Sequence, residues 1–208
     1  MIFSSSLLEN AVNEFSKLPG IGKKTALRLI LHLLKQDLPH VTNLSESILK
    51  MRTEIKYCTK CHNVSDDILC KICNNISRKK TQLCVVESIR DVMAIEATQQ
   101  FNGMYHVLGG IISPLDGIGP DKLNIASLIT RIEHDEVSEL IMALSPTIEG
   151  DTTTYYIAKK LNPKTLKITA LSRGVAFGGE LEYADELTLS RSFTNRLPIE
   201  SLVNGIDS

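Results

Sequence analysis

Cys58-Thr59-Lys60-Cys61-His62-Asn63-Val64-Ser65-Asp66-Asp67-Ile68-Leu69-Cys70-Lys71-Ile72-Cys73 divides this chain into two segments of different character. Two Cys-x2-Cys knuckles this close together can present four thiolates to one tetrahedral zinc, each sulfur about 2.3 Å from the metal. The surroundings suit that arrangement. Lys56, Lys60 and Lys71 soften the repulsion among anionic sulfurs, and Asn63, Asn74 and Asn75 favour tight turns. Two disulfides are the alternative for such spacing, but they belong to oxidising compartments. The opening stretch from Met1 to Glu14 has no basic segment and is interrupted by Glu9 and Glu14, so it does not read as a secretory signal. The four cysteines are therefore expected to hold zinc. Four protein sulfurs leave no position for water or substrate, which makes the metal structural. The fifth cysteine, Cys84, lies in an apolar run and reads as a small buried hydrophobe.

A chain of 208 residues, 43% hydrophobic, can bury a core in one to three domains. Charges interrupt every apolar stretch well short of the roughly 18 residues a membrane span needs, so no membrane partner and a cytoplasmic location are expected. The net charge of −1 conceals a division. Residues 1–80 hold 13 Lys and Arg against 7 Asp and Glu, whereas residues 81–208 hold 10 against 17. Such asymmetry suggests an anionic partner for the first segment and a cationic or metal partner for the second.

Before the knuckles, Leu7, Leu8, Ala11, Val12 and Phe15 predict an amphipathic helix over 5–17. Leu18-Pro19-Gly20-Ile21-Gly22 follows, then a second helix opening on Lys23-Lys24-Thr25. Gly20 and Gly22 allow a sharp turn with close backbone approach, and Ile21 is placed to plug into the helix pair. The second helix starts with free N–H groups, a ready anion site. Lys23 and Lys24 stand where the helix dipole disfavours cations, a conflict that a phosphate in the site would resolve. The segment resembles a helix-hairpin-helix, which binds DNA through phosphates without reading sequence. Leu44, Ile48, Leu49 and Ile55 predict a third helix packed on the pair.

Beyond the knuckles, Gln82-Leu83-Cys84-Val85-Val86 has the continuous apolar form of a buried parallel strand. Ser88 and Asp91 form a capping box for the next helix. Further strands are expected at 104–108, 138–144 and 166–171, with helices near 121–133 and 151–161, hence a mostly parallel α/β sheet. Ligands gather beyond the carboxyl ends of such strands. Glu87, Glu149 and Asp151 lie there in sequence, a carboxylate set suited to Mg²⁺ unless one of the later pair merely caps its helix. A strand-ending Glu with a later acidic-x-acidic pair resembles the Toprim fold of topoisomerases and primases, although that fold usually carries Asp-x-Asp.

Hairpin, four-cysteine site and Toprim-like segment in this order resemble the bacterial recombination mediator family RecR. The likeness is carried by Leu18–Gly22, the knuckles, Pro146-Thr-Ile-Glu-Gly-Asp151 and Gly174-Val-Ala-Phe-Gly-Gly-Glu-Leu-Glu-Tyr-Ala-Asp-Glu-Leu187. It implies four regions: a helix-hairpin-helix region at 1–55, a four-cysteine zinc finger at 56–79, a Toprim domain at 80–175 and a C-terminal extension at 176–208. It also implies a non-enzymatic role in DNA repair: a homotetrameric ring around DNA that works with RecO and/or RecF to load RecA on single-stranded or gapped DNA. Lys23 and Lys24, with Arg28, would meet phosphates beside Gly20 and Gly22, so the protein would associate with the nucleoid when bound to DNA. Glu149 and Asp151 would lie on the partner-binding surface. The rival from another class is a Mg²⁺-dependent Toprim nuclease, with Glu87 as acid/base and Glu149 and Asp151 holding the ion.

Overall fold

Leu8, Ala11, Val12 and Phe15 give the first helix, α1 (Ser6–Ser16), one apolar face, and Ser5 caps it by accepting from the Leu8 amide. The chain turns at once into α2 (Lys23–Leu34). Val12, Ala26 and Ile30 close a small core between the two helices, with Ile21 packed against it from the turn, as its position predicts. A third helix, α3 (Leu38–Glu54), begins earlier than its apolar spacing suggests. Asp37 caps it by accepting from His40 N at 3.2 Å, and Pro39 is tolerated in its first turn. The expected packing of α3 on the helix pair does not occur. None of its residues is buried, and Ile48 and Leu49 remain 54% and 65% exposed. The core of α1 and α2 is only three residues deep, too small to cover a 17-residue amphipathic helix.

The computed structural model describes residues 3–161, 166–175, 178, 180–196 and 198. They fall into two compact units, Met1–Ile55 and Lys56–Ser208, so the knuckles and the α/β layers share the second unit. That unit opens with a short antiparallel pair, β1 (Lys56–Tyr57) and β2 (Val64–Ser65), within the knuckle region. Its sheet comprises β3 (Lys79–Val86), β4 (Gly103–Val107), β5 (Glu139–Ala143) and β6 (Lys167–Ala170), all parallel in the order β4-β3-β5-β6. The connecting helices are α4 (Ile89–Ala97), α5 (Ile125–His134) and α6 (Ile148–Lys160), and α7 (Glu186–Thr194) follows. The motif read from Gly174 to Leu187 and the extension at 176–208 lie partly outside the described residues.

Alternation along β3 explains why the sheet is buried on both sides. Leu83 and Val85 face a core with Leu128 of α5 and Ile157 of α6, whereas Cys84 and Val86 face the opposite one with Val92 of α4. Burial pushes the Cys84 thiol up to about 12, which fits an inert core residue. Arg78 anchors the entry to β3. Its guanidinium pairs with Glu96 and donates to the Phe101 and Gly103 carbonyls, and Tyr105 donates to Glu96 at 2.7 Å.

The first turn of α6 admits only glycine at one point. A Cβ on Gly150 would lie 2.0 Å from the Ser145 carbonyl oxygen, which is backbone and cannot swing aside. Gly150→Ala is expected to destabilise the protein by about 1–3 kcal/mol despite alanine's better helix propensity. Thermal melting checks this, since each kcal/mol corresponds to roughly 2–4 °C at this chain length. An unchanged or higher Tm would show that the loop relaxes at no cost.

Candidate metal centre and nucleic-acid interface

The Sγ atoms of Cys58, Cys61, Cys70 and Cys73 all lie within 4.8 Å of one another, the first three buried and the fourth half-buried. All are free thiols, with Cys61 Sγ 3.5 Å from Cys70 Sγ. Backbone bonds shape the knuckles: Cys58 N donates to Asn63 O at 2.7 Å, His62 N to Cys58 O at 2.9 Å and Asn74 N to Cys70 O at 3.0 Å. Hydrogen bonds from Cys61 and Cys73 pull the Cys70 thiol far down, and the reciprocal bond with burial pushes Cys61 far up. A buried tetrathiolate donor set fits structural zinc. These four residues would hold the ion, and it would supply folding energy rather than chemistry.

The knuckles are fastened to the sheet by residues the sequence reading passed over. Val107 N, at the end of β4, donates to the Cys61 carbonyl at 2.9 Å. The buried Arg131 donates to Tyr105 O at 2.7 Å and Lys60 O at 3.3 Å, and pairs with Asp135 at 3.2 Å. Lys60, expected to offset thiolate charge, is directed to Asp135 at 2.9 Å. His62 has a left-handed φ of 62°. Its ring lies 2.8 Å from Ser127 Oγ and meets His106 edge-on at 5.1 Å. Burial pushes His106 down to about 3, so the ring is neutral, and its Nε2 donates to Asn124 O at 2.8 Å. The i, i+4 spacing of Arg131 on α5 and Asp135 just past its end was the one signal available in the sequence.

At the hairpin, Gly20 has φ +77° and requires glycine, while Ile21 N donates to Leu18 O at 3.0 Å. Gly22 is extended, and a Cβ at either glycine would meet nothing of this chain within 4 Å. The glycines therefore open space outward rather than allow internal packing. Gly22 provides no side-chain cap for α2, and the first turn-closing bond is Ala26 N to Gly22 O at 2.9 Å. Lys23, Lys24 and Arg28 are exposed, and among the described residues none of them joins an ion pair. Lys23, Lys24 and the free N–H groups thus gather at the start of α2, with Arg28 about one turn further on, an arrangement suited to phosphate.

The carboxylates are placed differently from the Mg²⁺ expectation. Among the described residues, the four cysteines are the sole group of three or more ligand-type side chains close enough to share an ion, so Glu87, Glu149 and Asp151 form no such set. Glu87 accepts from Ser145 N at 2.5 Å, pinning the β5–α6 loop to the end of β3. Thr147 caps α6 by accepting from Gly150 N at 3.1 Å, so neither acidic residue serves as the cap. Glu149 and Asp151 instead occupy the first turn, where their charge suits the helix dipole. Residues two apart on a helix point to different sides, and the pair is split for that reason. Asp151 is held by Arg173 Nη1 at 2.5 Å and by Arg191 Nη2 of α7 at 3.3 Å. That clamp was not legible in the spacing.

Two outcomes follow for the second unit. Cys61→Ser should lose bound zinc and several kcal/mol of stability, a fall in Tm on the order of 10 °C. Elemental analysis beside a melt checks it, and full zinc content with unchanged melting would dismiss the four-cysteine site. Asp151→Asn should leave the sheet folded but loosen α7, speeding limited proteolysis around 186–194 several-fold. Equal cleavage in both proteins would show that the clamp does not order the helix.

Comparison with known proteins agrees with this layout. Residues 8–52 match the model of the RecR helix-hairpin-helix, residues 81–172 that of the Toprim domain and residues 174–197 that of the RecR C-terminal region. The chain is 56% identical over 194 residues to the recombination protein RecR of Phocaeicola vulgatus, covering 93% of this chain and 95% of that one. It is 56% identical over 200 residues to the RecR of Flavobacterium johnsoniae, covering 96% and 97%. The RecR of Cytophaga hutchinsonii gives 56% over 202 residues, covering 97% and 98%. With its helix-hairpin-helix, Toprim and C-terminal segments matching in order and relatives 56% identical over nearly the whole chain, the chain belongs to the RecR family of recombination proteins.

Proposed function

We propose that this chain is a non-enzymatic mediator of recombinational DNA repair that binds DNA without sequence preference. It acts as a ring-like clamp with RecO and/or RecF to load RecA on single-stranded or gapped DNA. The observation that carries the reading is the uncapped, cation-bearing start of α2 behind a glycine turn that leaves room outward. Phosphate contacts of this kind position a protein on DNA but carry no sequence information. No carboxylate set for a catalytic metal enters the proposal, because Asp151 is committed to two arginines. The acidic second segment, with Glu149 at the start of α6, is the surface offered to a basic partner protein.

The open face of α3 supports the ring. Leu7, Leu34, Leu38, Leu44 and Ile48 border an apolar groove of about 690 Å³, with Leu7 81% and Leu38 78% exposed. An apolar patch of this kind is suited to a second copy of the chain. Four copies held together raise the effective concentration of every phosphate contact, so a few weak contacts per subunit suffice.

The test is a Mg²⁺-dependent cleavage assay on gapped DNA with binding scored in the same samples. Binding without cleavage, lost as salt rises, supports the mediator. Cleavage abolished by Glu87→Ala would replace it with the nuclease. In the same assay, Lys23→Ala with Lys24→Ala should weaken binding at least tenfold and flatten its salt dependence, with melting unchanged. Unaltered affinity would remove the hairpin from DNA binding.

A further inference from the structure

A shallow groove runs beyond the hairpin along the outer side of α2. Lys24, Leu27, Arg28, Leu31, His32 and Lys35 line it, with a volume of about 410 Å³. At about 100° per residue, the side chains at 24, 28, 32 and 35 fall within roughly 80° of one another around the helix. Leu27 and Leu31 border them on one side. Over these eleven steps, at about 1.5 Å each, the row extends roughly 16 Å. No acidic residue interrupts α2, and among the described residues neither Lys24, Arg28 nor Lys35 joins an ion pair. His32 lies 3.3 Å from Gln36, so a neutral amide rather than a carboxylate is its neighbour. Like charges in a row repel, and nothing in the fold of this unit needs them, since its core is formed by Val12, Ala26 and Ile30.

We propose that the whole outer edge of α2, as far as Lys35, is a rail for one sugar-phosphate strand. This deepens the DNA-binding reading above and rests on it. Lys24, Arg28 and Lys35 take phosphates spaced along the strand, His32 donates to the strand between them, and the exposed Leu31 lies against the apolar face of a deoxyribose ring. A hairpin that held a strand only at its glycine turn would touch one or two phosphates. A rail of this length fixes the direction in which the strand leaves the hairpin, because a duplex strand carries a phosphate about every 3.4 Å along its axis. Base edges take no part, so the surface remains indifferent to sequence.

The experiment measures duplex-DNA affinity of the full chain across a salt series for the wild type, Lys35→Ala, Lys35→Arg and the Lys23→Ala/Lys24→Ala pair. Lys35 is exposed, one residue past α2, and outside the core, so its variants should fold normally. The rail requires Lys35→Ala to lower the slope of log K against log salt by about 0.9 for each copy in contact, and Lys35→Arg to retain the slope. A normal slope in Lys35→Ala, with a flattened slope in the lysine pair, would overturn the rail and leave the hairpin reading intact. Normal slopes in both would end the hairpin reading, and the rail with it.

Discussion

Convergence of four sulfurs on one buried point is the constraint from which the second unit is organised. The knuckles do more than close on themselves. Through the Cys61 carbonyl they take the amide at the end of β4, and through Lys60 they engage the buried guanidinium of Arg131, which also holds the Tyr105 carbonyl. Ile72 packs against one core of the sheet and Cys73 against the other. A divalent ion here would fix a backbone path that hydrophobic burial alone leaves loosely determined, and β4 is an edge strand that gains from being fixed. The left-handed backbone at His62 shows how firmly this junction is determined, because its ring is wedged between Ser127 and His106.

Much of this was legible in the chain. Continuous apolar runs identified β3 and its parallel neighbours, and the Cys-x2-Cys spacing placed four sulfurs that the fold does bring together. Periodicity succeeded where a local pattern and its burial had the same cause. It failed for α3, whose leucines have helical spacing but no surface among the described residues of the first unit large enough to receive them. Apolar spacing states that a face will be covered, not what will cover it. Arg191 escaped notice because an isolated arginine carries no pattern and its partner is set by tertiary contact alone, whereas Arg131 offered only its i, i+4 spacing to Asp135.

The acidic pair shows how little separates a metal site from a structural anchor. Moving the helix start back to Thr147 places Glu149 and Asp151 inside a turn of α6, where the backbone itself directs them apart. Once separated, Asp151 becomes the point where the chain after β6 and the last helix meet the rest of the unit. One carboxylate then gives Arg173 and Arg191 a shared attachment on α6. The close approach at Gly150, which admits no side chain, belongs to the same geometry.

The open face of α3 has a consequence for how the two units respond to their surroundings. The second unit has two cores of its own, and an ion held by its four sulfurs would tie the knuckles that fasten β4 to the activity of that metal. The first has an unfinished core, and whatever settles on that face stabilises it by mass action. Its order would then follow the concentration of that occupant. A single polypeptide would then answer to two separate variables: loss of an occupant would soften the helices of the first unit, and chelation of a bound ion would loosen the knuckles of the second.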